Sequence, residues 1–218
     1  LGSIYCDTKI GACQFSDLTI FSFHPVKMIT TAEGGMVLTR DEHLADQMRC
    51  LRSHGIVRAP NLLSRPADGE WYYEQVALGY NYRLSDLHAA LGLSQIRKLE
   101  HVVERRQTFA ERYRKAFVRL PLTVQHVEQD RRSSYHLFIV RISSELGIDA
   151  RSRVFHQLRS RGIAAQVHYI PVHTQPFFSN RGFSAKAFPA SIAYYRECLS
   201  LPIFPELDCE AQDHVICS

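Results

Sequence analysis

The chain has 218 residues, 45% of them apolar and 22% charged, with a formal net charge of +4; that is enough to bury a sizeable core in one large domain or two unequal ones. The basic residues are spread along the chain, so neither a nucleic-acid patch nor a membrane-binding surface is read from them. No apolar run approaches the ~18 residues of a membrane helix and no charged-then-apolar leader is seen, so a cytoplasmic protein is expected.

In chain order, the opening Leu1-Gly-Ser-Ile-Tyr-Cys-Asp7 carries neither a helix cap nor the composition of a tail, and reads as entry into the middle of a larger fold. Leu18 to Phe23 is apolar, β-branched and aromatic, as expected of a strand, and Pro25 ends it because it cannot donate to a ladder. Gly34 to Thr39 reads as a second strand. Asp41 is placed to cap a helix through Glu42 to Arg52, with Leu44, Met48 and Leu51 at helical spacing, and His54-Gly55 stops it. Residues 56 to 70 turn to Pro, Ser, Arg and Ala and read as an exposed loop.

Ser85 is a plausible N-cap for a helix through Leu87, Leu91, Ile96 and Leu99, and a second helical pattern runs from Val102 to Leu120. Pro121 marks a change of organisation. Beyond it the sequence predicts a strand over 135–142, a helix over 150–160, a glycine-led strand over 162–169, a helix over 187–199 and a last helix from Cys209. Strands alternating with helices give an α/β fold, divided into a domain over 1–122 and a smaller α/β domain over 123–218.

Six cysteines, at 6, 13, 50, 198, 209 and 217, include no C-x-x-C pair and no histidine pair at zinc spacing. They read as isolated thiols, with no metal site.

The chemistry centres on Ser22-Phe-His-Pro-Val-Lys27, followed by Thr30-Thr-Ala-Glu-Gly34-Gly35. A lysine in a turn is ordinarily solvated. Here it is a lone amine at the end of an apolar strand, after a hydroxyl able to donate to a phosphate and before a glycine pair that lets backbone approach a ligand. Such an amine can form a Schiff base with a carbonyl cofactor if burial or a neighbouring cation keeps it neutral.

Three segments in order, Phe21-Ser-Phe-His-Pro-Val-Lys27 with its glycine pair, Leu78-Gly-Tyr-Asn-Tyr-Arg-Leu-Ser-Asp86, and His168-Tyr-Ile-Pro-Val-His-Thr-Gln-Pro176, resemble the motifs of the DegT/DnrJ/EryC1/StrS aminotransferases. The resemblance runs over nearly the whole chain. It implies an aspartate-aminotransferase-like fold of type I, with residues 1–122 the C-terminal part of the large cofactor-binding domain and 123–218 the small one. It implies pyridoxal 5'-phosphate as cofactor, Lys27 as the Schiff-base lysine and proton shuttle, and Ser22 as a donor to the cofactor phosphate. Asn81 matches a residue that reaches the phosphate in the neighbouring subunit's site, which implies a homodimer with shared active sites. His168, Tyr169 and His173 match a loop near the nucleotide-sugar. Arg58, after the His-Gly stop, is a candidate for its diphosphate.

The wording of the motifs is most similar to the branch that aminates C4 of a UDP-linked 4-keto-6-deoxy-N-acetylhexosamine in pseudaminic-acid synthesis, with glutamate the expected donor. A different sugar specificity is an alternative, and so is a non-catalytic remnant. A dehydratase relative would carry histidine in place of Lys27. In the family, an aspartate that pairs with the pyridine nitrogen lies just before Leu-Gly-Ser, and Asp7 and Asp17 do not sit in its motif, so the sequence reads as a fragment lacking the N-terminal part.

Overall fold

The computed structural model describes residues 1–218, which divide into two units, Leu1–Leu99 and Glu100–Ser218. In the first, strands β1 (Thr19–Ser22) and β2 (Gly35–Leu38) pair antiparallel in the register Thr19↔Leu38 to Ser22↔Gly35. Phe21, Phe23 and Ile29 are buried against Leu1, Leu38 and Leu99. Helix α1 (Glu42–Leu51) starts at Asp41, whose carboxylate accepts from the Leu44 amide at 3.0 Å. Helix α2 (Asp86–Ile96) starts at Ser85, whose hydroxyl accepts from the His88 amide at 3.3 Å. Both caps satisfy amides that the first helical turn leaves without partners.

The expected loop over 56–70 is more ordered than its composition suggests. Ile56–Val57 pairs with Glu74–Gln75, closing the intervening residues into a hairpin, and Pro60–Leu62 form a short 3-10 turn.

In the second unit, helix α3 (Leu99–Phe117) supplies Phe109, Tyr113 and Phe117 to the core, with Val140 and Phe138 of the sheet behind them. The sequence reading divides the domains at the composition change near Pro121. Packing divides the chain after Leu99, because the apolar face of α3 is buried with the second unit. The sheet is antiparallel, ordered β5 (Cys198–Leu201), β4 (Phe138–Ile142), β3 (Leu122–Val124). Helices α4 (Ala150–Ser160), α5 (Pro189–Glu197) and α6 (Cys209–Cys217) complete it, the last capped by Asp208.

Two expectations are corrected here. The strand predicted over 162–169 is reduced to one bridge, Gln166↔Ser200, with Ile163 and Ala165 buried before it. The helix predicted over 187–199 stops at Glu197, since Cys198 to Leu201 are all buried and form strand β5 at the end of the sheet order.

Arg106 is the polar centre of this core. It is only 6% exposed, and its Nη1 donates to the carbonyls of Tyr135, His136 and Ile203 at 2.9, 3.1 and 2.8 Å. Burial lowers its pKa, and the nearby Glu206 opposes that shift. Replacing Arg106 by Met leaves three buried carbonyls unpaired, so we expect a loss of about 2–4 kcal/mol in urea unfolding followed by circular dichroism.

Candidate active site

The loop bearing Lys27 is closed on itself by Phe23. The Phe23 amide donates to Gly34 O at 2.9 Å, and its carbonyl accepts from the Thr31 amide at 3.0 Å and from Thr30 Oγ1 at 3.1 Å. Thr31, 1% exposed, donates through Oγ1 to Glu33 O at 2.7 Å. Met28 and Ile29 are buried directly after Lys27, which is itself half-buried. The Lys27 amine makes no ion pair or side-chain hydrogen bond. Ser22 ends β1 with an exposed hydroxyl, whose one protein contact is a long 3.5 Å bond accepted from the His24 amide.

The glycine pair is explained by the protein's own packing rather than by a ligand. A Cβ on Gly34 would run into Thr31 Oγ1 and lie 2.9 Å from Leu84 Cδ1, and one on Gly35 would lie 3.0 Å from Phe21 O.

Asn81 stands on a separate segment of the same unit. Tyr80 N donates to Leu51 O and Tyr82 N to Arg52 O at 2.7 and 2.9 Å, while His54 N donates to Tyr80 O at 2.8 Å. Tyr80 and Tyr82 stack at 4.7 Å and 11° on one side of this extended stretch. Residue 81 therefore points to the other side, exposed and without a side-chain bond. The segment is pinned by a backbone crossing: a Cβ on Gly79 would collide with Gly55 N, and one on Gly55, at φ +70°, with Ala77 O.

Arg58 follows the Ile56–Val57 pairing and lies over the Tyr73 ring at 4.9 Å. The base of its hairpin is tied by Glu74, which accepts from Ser64 N, Ser64 Oγ and Tyr72 OH at 2.7, 3.0 and 2.9 Å. The Ser64 amide above all holds the Glu74 carboxyl below its ordinary pKa.

The remaining candidates lie in the second unit on one loop. His168 Nδ1 is 2.7 Å from Ser200 Oγ, its ring meets Tyr169 edge-on at 4.5 Å, and Tyr169 is 68% exposed. His173 packs on Phe188 at 4.5 Å with its Nε2 buried and unpartnered. Ser22 and Lys27 thus stand on one strand and its loop, His168 and Tyr169 touch, His173 packs on Phe188, and Arg58 and Asn81 stand on loops of their own. Sequence reading missed Thr31, the Tyr80–Tyr82 stack, Glu74 and Ser200. Of these only Ser200 left a signal, a single hydroxyl in an otherwise apolar Cys-Leu-Ser-Leu run.

A family model described as the DegT/DnrJ/EryC1/StrS aminotransferase family matches residues 1–218. The chain belongs to this family. SpsC of Bacillus subtilis, a spore coat polysaccharide biosynthesis protein, is 38% identical over 216 residues, 97% of this chain and 54% of SpsC. The UDP-4-amino-4,6-dideoxy-N-acetyl-beta-L-altrosamine transaminase of Campylobacter jejuni is 38% identical over 209 residues, 95% of this chain and 52% of the relative. Spr1654 of Streptococcus pneumoniae, solved in its PLP form, matches 99% of this chain and 53% of its own with a TM-score of 0.87 and 30% identity. The chain spans about half the length of the curated relatives it matches. Over that half, its architecture is that of the family's fold type I enzymes.

Two outcomes are expected from this geometry. Gly79→Ala forces the crossing with Gly55 apart, and we expect a loss of about 2 kcal/mol or more in urea unfolding, with Gly55→Ala at least as damaging. For the hairpin, the lowered Glu74 pKa means that the tie is fully made above the ordinary carboxylate range and is lost as pH falls through the lowered value. Hydrogen exchange of the Ser64 amide, corrected for intrinsic rate, should lose its protection over that fall, and Glu74→Gln should remove it at neutral pH.

Proposed function

We propose that this chain carries the catalytic lysine of a cytoplasmic, pyridoxal-phosphate-dependent aminotransferase, which moves an amino group from glutamate to C4 of a nucleotide-linked 4-keto-6-deoxy sugar. The observation that carries this reading is the Lys27 loop, a rigid turn holding an unpaired amine beyond the exposed hydroxyl of Ser22. The family match and the PLP form of Spr1654 support the cofactor. The altrosamine transaminase supports a UDP-linked 4-keto-6-deoxy-N-acetylhexosamine as acceptor. The equal identity to SpsC favours a second reading, an aminotransferase acting on a different sugar.

The residues present fit the cofactor: the Ser22 hydroxyl has only a long contact to give up, and the Lys27 amine has none. Bound there, pyridoxal phosphate would supply the electron sink that makes a proton on the donor's α-carbon removable. Lys27 would hold its aldehyde carbon through Nζ, and the same nitrogen would take and return that proton as general base and acid. Ser22 Oγ would donate to the phosphate. Asn81, presented on the bare side of the tyrosine stack, would reach the phosphate of the partner subunit's site in a homodimer. Arg58 would pair with the sugar's diphosphate through its planar fork. His168 and Tyr169 would contact the nucleotide-sugar, joined by His173, whose buried Nε2 lacks a partner within the chain.

In the full-length protein, Lys27→Ala should abolish borohydride-reducible attachment of pyridoxal phosphate together with turnover of glutamate and the keto-sugar nucleotide. Turnover persisting in that variant would sink the reading. Ser22→Ala should keep the lysine linkage but weaken cofactor affinity about tenfold, measured by titration of the apoprotein.

A further inference from the structure

We propose that Tyr73 is a positioning residue for Arg58: its ring holds the guanidinium by one face, so that the N–H edge is presented ready to pair with a diphosphate. The ligand class rests on the function proposed above, whereas the placement of Arg58 rests on the hairpin's own geometry.

The ladder register sets the pair. Val57 lies opposite Glu74, so the next residues along the two strands, Arg58 and Tyr73, face one another across the hairpin. Side chains alternate between the faces of such a ribbon. Tyr72 and Glu74 are half-buried on one face, and Tyr73 and Gln75 are exposed on the other.

The half-buried face is where the hairpin closes on itself. Glu74 accepts from Ser64 N, Ser64 Oγ and Tyr72 OH, and Tyr72 OH accepts in turn from Arg65 Nε at 2.5 Å. Arg65 also lies over the Tyr72 ring at 5.3 Å. That arginine is committed to the fold, its donor already paired inside the network.

Arg58 is the opposite case. Its Cζ is 4.9 Å from the centroid of the Tyr73 ring, and its guanidinium makes no ion pair or hydrogen bond. A ring beneath a guanidinium engages the flat face and leaves the N–H donors at the edge, where they match the paired oxygens of a phosphate. The backbone on either side is held as well: Val57 is in the ladder, and Ala59 is kept extended before Pro60, which opens the 3-10 turn. A free side chain of this length samples many rotamers and loses that freedom on binding, whereas a stacked one has lost part of it beforehand. Tyr73 leaves 50% of its surface to solvent, so the ring is not there to fill a core.

The test measures binding of UDP to full-length protein by calorimetry. Tyr73→Leu should raise the Kd about fivefold and Arg58→Gln about tenfold or more, while Tyr73→Phe, which keeps the ring, should bind as wild type does. Because Tyr73 acts through Arg58, the double variant should bind no more weakly than Arg58→Gln alone. Protection of the Ser64 amide from hydrogen exchange should stay at the wild-type level throughout, showing that the hairpin is closed. Unchanged binding in Tyr73→Leu or Arg58→Gln, or losses that add in the double variant, would overturn the inference. So would lost Ser64 protection in Tyr73→Leu, which makes the ring a part of the fold, or a fall in affinity for pyridoxal phosphate in place of UDP. UDP binding that follows both residues in a protein without turnover of the keto-sugar nucleotide would leave the inference standing and count against the acceptor proposed above.

Discussion

The peptide group of Phe23 is the constraint on which the lysine loop depends. Its amide continues the β1–β2 ladder by one bond beyond the paired strands, and its carbonyl receives both the backbone and a side chain from the returning end of the loop. A turn closed at one residue has little freedom to wander, and the burial of Met28 and Ile29 removes what remains. Lys27 is thereby fixed at the level of its backbone.

The second unit shows the same economy in its buried polar groups. Arg106 collects three carbonyls, and Gln212, 0% exposed, bonds Phe109 O at 2.8 Å and receives Arg112 Nη1 at 3.2 Å. Tyr113 donates to Pro202 O at 2.9 Å, its pKa raised by burial. Arg106 and Tyr113 tie a helix to carbonyls of segments that have left regular structure, and Gln212 ties one helix to another. Polar groups buried in this way are costly when unpaired, so they specify where irregular chain must lie.

Much of this was legible in the sequence. Asp41, Ser85 and the period of α1 gave both helix starts of the first unit because a cap is a local arrangement, complete within one turn. The three motifs carried the family. What was not legible in the sequence depends on partners distant along the chain. Gly34 reads as room for a ligand until Thr31 and Leu84 are seen to occupy that room. The segment 162–169 has the composition of a strand, yet only Gln166 finds a neighbour. Cys198 and Leu199 continue a helical pattern but are drawn into the sheet, because four successive buried residues fit a strand flanked on both faces better than a helix with one buried stripe. The packing of α3 with the second unit was hidden for the same reason, since periodicity shows which face of a helix is apolar but not what covers it.

The crossing of Gly55 and Gly79 has a consequence for how such a scaffold can diversify. The Arg58 hairpin and the Asn81 segment leave from the same pair of side-chain-free positions, one outward through Ile56 and the other through Tyr80. Because the hairpin closes on its own two-residue ladder and the Glu74 tie, residues can be added or exchanged at its tip without disturbing the crossing. The Asn81 segment has no such slack: each of its residues is in register with the end of α1. Changes of length and sequence are thereby channelled into the hairpin, while the neighbouring strand segment is held to one length and one register.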